Sequence, residues 1–121
     1  MKRDPRLRAL SVDHHHALVI ARRAPAQDAS WLREVFEAQL APHFAVEEEL
    51  LLPALERAGA AALVVRTAED HAALRALVAA GDNAGFAERL TAHVRFEERE
   101  LFPACETLLA AEVLEAVARR G

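Results

Sequence analysis

The residues best placed to do chemistry in this 121-residue chain are its histidines, six in all, and two glutamates that repeat with them. The segment His43-Phe44-Ala45-Val46-Glu47-Glu48-Glu49-Leu50-Leu51-Leu52-Pro53-Ala54 recurs fifty residues later. There it reads His93-Val94-Arg95-Phe96-Glu97-Glu98-Arg99-Glu100-Leu101-Phe102-Pro103-Ala104, with His, Glu, Glu, Leu, Pro and Ala in register. On a helix, residues four apart lie on one face a turn apart. His43 with Glu47, and His93 with Glu97, therefore each aim an imidazole and a carboxylate at one point. Apolar residues share those faces: Phe36, Leu40 and Leu50 with the first pair, Phe86, Leu90 and Leu101 with the second. Both pairs are thus predicted to point into a core. Burying such groups is costly without compensation. A metal ion supplies it, and facing helices of a bundle are a usual place to hold one.

Two further helices complete the set. His71 shares a face with Leu63, Val64, Leu74 and Val78, which turns it inward. Of His14, His15 and His16, His14 lies on the strongest apolar stripe, with Leu7, Leu10, Leu18 and Ala21. His15 sits about 100° round the helix and is the alternative, reaching the site from the flank, while His16 faces solvent. The candidate ligands are then His14, His43, Glu47, His71, His93 and Glu97. Imidazole suits iron, zinc, copper and nickel, and mixed imidazole and carboxylate shells with open positions suit non-heme iron. Two carboxylates able to bridge suggest two ions roughly 3.5–4 Å apart. Asp13 and Asp70, each just before a histidine, are candidates to orient the ligands. Of Glu47-Glu48-Glu49, only Glu47 is in phase with His43, and the rest reads as solvated.

The elements that must position these groups are helices. Alanine and leucine dominate, and glycine occurs four times. Asp4-Pro5 reads as an N-cap followed by proline at the first helical position. Pro25 ends the first helix, Asp28 or Ser30 caps the second, Gly59 closes it, and 81–85 separates the third from the fourth. Helices are expected at about 5–23, 30–57, 60–80 and 85–108, with a short helical tail at about 110–119. Pro42, Pro53 and Pro103 fall inside helices and should kink or break them. Short loops between helices of similar length favour an all-α, up-down antiparallel four-helix bundle, formed by 1–121 as a single domain. Cys105 reads as a small buried residue, and Trp31 and Phe36 as core or helix-end packing.

Composition excludes other classes. A net charge of -4 with scattered arginines offers no basic face for nucleic acid. No apolar run approaches the roughly 18 residues of a membrane span, and Met1-Lys2-Arg3-Asp4-Pro5-Arg6 carries no signal-peptide core, so a cytoplasmic protein is expected. One cysteine rules out an internal disulfide framework and a cysteine-rich zinc site. The sequence sets no oligomeric state, although Val12, Val19 and Ile20, on the outer side of the first helix, offer a surface for the tail or a partner chain.

At these residues the sequence resembles the hemerythrin-like family of HHE cation-binding domains. The marks are Asp13-His14, His43-Phe44-x-x-Glu47-Glu48 with Leu52-Pro53, Asp70-His71, and His93-x-x-x-Glu97-Glu98 with Leu101-Phe102-Pro103. The resemblance covers nearly the whole chain. It implies a hemerythrin-like bundle holding non-heme iron as a pair between the six candidate ligands. Glu47 and Glu97 would bridge the irons, joined also by an oxo or hydroxo group and meeting dioxygen, nitric oxide or peroxide. Oxygen-carrying hemerythrins have a further histidine four residues after the one on the third helix, where this chain has Arg75. That departure leaves a symmetric set and room for small-ligand chemistry, iron sensing or storage. The reading favours a metal- and oxygen-binding protein over a dedicated enzyme. Alternatives are a di-iron oxidoreductase removing peroxide or nitric oxide, for which tyrosine, absent here, supplies no proton donor, and a bundle with a zinc or mononuclear site.

Overall fold

The computed structural model describes residues 2–120. A 3-10 turn, Pro5–Leu7, leads into α1, Arg8–Arg23. Helix α2 runs over 29–57, α3 is Ala61–Ala80, α4 runs over 83–108 and α5 is Ala111–Arg120. The chain is all-α, and the first four helices form the bundle. Helix α1 packs on α4, α4 on α3, α3 on α2, and α2 on α1. The fifth lies against Pro5–Leu7 and the middle of α2. No helix among the described residues is long and apolar enough to cross a membrane.

Local chemistry sets the boundaries. Asp4 caps the first turn by accepting from the Arg6 amide at 2.8 Å. Asp28, rather than Ser30, caps α2 through the Trp31 amide at 2.8 Å. Asp82 caps α4 through the Gly85 amide at 2.9 Å. Gly81 ends α3 at φ 69°, a left-handed conformation that a Cβ would disfavour.

The interior prolines do not break their helices. Each follows a π-turn: Phe36–Leu40 before Pro42, Glu47–Leu51 before Pro53, and Glu97–Leu101 before Pro103. The amides of Ala41, Leu52 and Phe102 donate five residues back, to the carbonyls of Phe36, Glu47 and Glu97. One extra residue widens the turn where the proline ring would meet the preceding carbonyls. On α2 the fully buried residue beyond Glu47 is Leu51, whereas Leu50, the expected one, is only partly buried. In α4 the Glu98 carbonyl faces a proline with no amide to give, and Arg3 Nη2 donates to it at 2.9 Å instead.

The core divides in two. One apolar cluster, built around Leu7, Leu51, Leu55, Phe102 and Cys105, is closed by Leu114 and Val117 of α5. The other holds Leu32, Phe36, Phe44, Leu74, Phe86 and Leu90. Ile20 belongs to this second cluster and is buried, so it is not on an outer surface of α1. Val12 and Val19 are exposed, and α5 packs elsewhere.

Candidate metal centre

His14, His43, Glu47, His71, His93 and Glu97 are all buried, the two glutamates completely. They meet as two overlapping groups: His14, His43, Glu47 and Glu97, then Glu47, His71, His93 and Glu97. Within each group one nitrogen or oxygen atom per residue lies within 4.8 Å of all the others. Helices α1 and α2 supply the first pair of imidazoles, α3 and α4 the second. His15 and His16 are exposed and stand outside both groups.

The glutamates are shared in a definite sense. Glu47 turns Oε2 to His43 Nε2 and Oε1 to His71 Nε2, each at 3.0 Å. Glu97 turns Oε1 to His14 Nε2 at 2.8 Å and Oε2 to His93 Nε2 at 3.0 Å. Each carboxylate thus gives one oxygen to each group, the geometry of a bridge.

The outer nitrogens are held as well. His43 Nδ1–H donates to Asp13 at 3.0 Å and His93 Nδ1–H to Asp70 at 2.8 Å. His14 Nδ1–H donates to Glu98 at 2.6 Å and His71 Nδ1–H to Glu48 at 2.7 Å. An anion behind each ring fixes its orientation and turns Nε2 inward as the free donor atom. Asp13 and Asp70 do orient histidines, but those of the neighbouring helix rather than the one next in sequence. Glu48 and Glu98 carry functional contacts that helical phase alone assigns to solvent. Their signal was the second Glu in both copies of the repeat. Arg75 is no inward donor: its guanidinium grips both oxygens of Glu48, at 2.7 and 3.0 Å.

The electrostatics suit a cation. Burial opposes charge on His93, yet the negative charge of Glu97 at 3.0 Å and a hydrogen bond to Asp70 push its pKa up to about 9. His14 and His43 are raised too: burial opposes this, and the carboxylates around them overcome it. Burial would favour a neutral Glu97, but the charge of His93 and hydrogen bonds from the other imidazoles hold it well below the usual range. Without a metal the surrounding carboxylates thus favour protons on His14, His43 and His93, and a bound cation would replace those protons.

One observation tests whether a metal fits. Glu47 Oε1, His71 Nε2, His93 Nε2 and Glu97 Oε2 are buried and close together, yet none has a partner aligned for a hydrogen bond. Two nitrogens and two oxygens that face one another at 3.0 Å without an aligned hydrogen bond are costly in a metal-free core and are what a metal ion would satisfy. The family profile described as "Hemerythrin HHE cation binding domain" matches residues 5–105. The chain belongs to the hemerythrin HHE family. Comparison with curated proteins and with solved structures finds no match. The hemerythrin match spans all six buried residues and all four carboxylates behind them, and stops short of α5.

A small cavity of about 10 Å³, room for the centre of one water-sized molecule, adjoins the centre. Its lining includes His14, His43 and His93 together with the apolar Leu40, Phe44 and Leu90. Cys105, in the cluster on the other side, is buried, and burial above all raises its thiol to about 12.

Proposed function

We propose that this protein holds two non-heme iron ions between His14, His43, Glu47, His71, His93 and Glu97, and receives a small ligand such as dioxygen, nitric oxide or peroxide. The carrying observation is the division of oxygens on Glu47 and Glu97, one to each pair of imidazoles. A single ion would leave half the donors idle. Each half offers two nitrogens and two oxygens, a mixed shell that leaves positions open and suits iron.

Bound iron would supply a redox-active Lewis acid. The chain's own residues do the rest. Asp13, Glu48, Asp70 and Glu98 fix the imidazoles, and Glu47 and Glu97 set the spacing of the two halves. Leu40, Phe44 and Leu90 keep the adjoining cavity small, which fits a diatomic ligand better than a larger one. Tyrosine is absent and Cys105 sits in the neighbouring apolar cluster, so neither a phenol nor a thiol stands among the ligands as a dedicated proton donor. Binding or sensing the ligand is therefore favoured over turning it over.

The test is elemental analysis of protein purified anaerobically, followed by near-ultraviolet and visible spectra before and after air or nitric oxide. About two irons per chain with a spectrum that responds to the gas is the expected result. One zinc per chain, or a fully folded protein without metal, would discard the oxygen chemistry. Peroxide consumption above that of free iron would favour an oxidoreductase instead.

A further inference from the structure

Resting on the two-ion reading, we infer that the two halves of the centre are inequivalent. Ions come and go at the His14/His43 half, through a cleft between α1 and α2, while the His71/His93 half retains its ion.

The inner donor atoms differ first. In the His71/His93 half the inner atoms also face one another at 3.0 Å, His71 Nε2 to Glu47 Oε1 and His93 Nε2 to Glu97 Oε2, but out of line for a hydrogen bond. In the other half His14 Nε2 bonds Glu97 at 2.8 Å and His43 Nε2 bonds Glu47 at 3.0 Å. That half closes on itself, and an ion must break both of these hydrogen bonds to occupy it. Donors already in place need no such rearrangement.

The outer carboxylates differ next. Behind His71, Glu48 is gripped by both terminal nitrogens of Arg75. Behind His93, Asp70 is held by Arg89 at 3.0 Å and Arg66 at 3.3 Å. Two-point arginine contacts fix a carboxylate's orientation, and hence that of the ring it holds. In the other half Glu98, behind His14, is likewise held, by Arg3 at 3.3 Å and Ser11 at 2.9 Å, so the difference lies at Asp13, behind His43, which pairs with no arginine among the described residues and whose side chain is 43% exposed. Asp13, with no arginine on it, attracts an approaching cation.

Access differs last. A cleft of about 310 Å³ leads from solvent to Asp13 and His43 between walls that include Leu10, Ile20 and Leu40. Arg120 stands at its edge with its charge engaged by Glu49 at 3.0 Å. The cleft beside Arg75, by contrast, is lined by Phe36, Val78 and Ala79 among others and contains none of the six donors.

The experiment loads the full chain with Zn(II), counts the ions bound, and follows their release to excess chelator with a zinc-responsive dye. Two phases of one ion each are expected, with rates at least about tenfold apart. Ala38→Trp puts an indole into the α1–α2 cleft from an exposed wall position and should slow the fast phase at least about fivefold. Ala79→Trp, in the other cleft, should leave both phases unchanged. Arg75→Gln should speed the slow phase about tenfold and spare the fast one. A single release phase for both ions, an unchanged fast phase in Ala38→Trp, or an Arg75→Gln effect on the fast phase would overturn the inference. Uptake of fewer than two zinc ions would instead overturn the two-ion reading beneath it.

Discussion

Each histidine of the centre divides its ring nitrogens between an inner and an outer carboxylate, and the two roles should separate on mutation. Glu97 faces both halves, so Glu97→Ala should abolish two-ion loading; two ions per chain by elemental analysis in that variant would sink the bridging assignment. Glu98 touches His14 from outside, with Ser11 Oγ donating to the same oxygen at 2.9 Å. Glu98→Ala should keep the stoichiometry but weaken the His14 half by about 10–100-fold, read by competition with a chelator. The inner six were legible in the sequence because helical phase and apolar neighbours both select them. His14 stood out from His15 on the same grounds. Glu48 and Glu98 were not legible by phase: each lies about 100° round from the inward glutamate. They reach a histidine only because the adjacent helix presents its ring's outer nitrogen at the seam, a fact of packing.

Among the elements, helix existence and limits follow from caps and turn residues, and expected and observed spans differ by only a few residues. The π-turns were the illegible feature, since a pattern of apolar residues assumes one helical period throughout. Three prolines marked their positions, and the reading of a kink or break missed that one extra residue can absorb the ring and carry the helix on. Leu51, four residues after Glu47, closes the core there as Leu101 does after Glu97. Helix α5 has a different task. It carries no ligand and lies beyond the matched residues, yet Leu114 and Val117 are almost fully buried over the cluster next to the centre. Leu114→Ala should cost about 2–5 kcal/mol in chemical denaturation while leaving metal stoichiometry unchanged. A cost near zero would show that α5 does not seal that end.

At the scale of the whole molecule, a charged layer separates two apolar clusters, so the stability of the metal-free chain must depend on the protons in that layer. His14, His43 and His93 have folded pKa values raised above the ordinary 6.5, the last to about 9. The folded chain then binds protons that the unfolded chain releases. Their contribution is complete below pH 6.5 and is lost as pH rises towards about 9. Glu48, Asp70, Glu97 and Glu98 are shifted down, so theirs is present above the ordinary carboxylate range and lost as pH falls through it. The metal-free protein should therefore be most stable between about pH 5 and 6.5. A bound cation reverses the upper limb, because it needs the imidazoles neutral and its affinity grows as they lose their protons. Thermal melts by circular dichroism, with chelator and with stoichiometric zinc, should show the metal-free Tm falling from about pH 6.5 to about 9 and the zinc-induced rise in Tm widening over the same interval. A metal-free Tm that stays level or climbs there would mean that the histidines are neutral in the folded chain. The carboxylates facing them would then lack the partners that keep them ionised in the core.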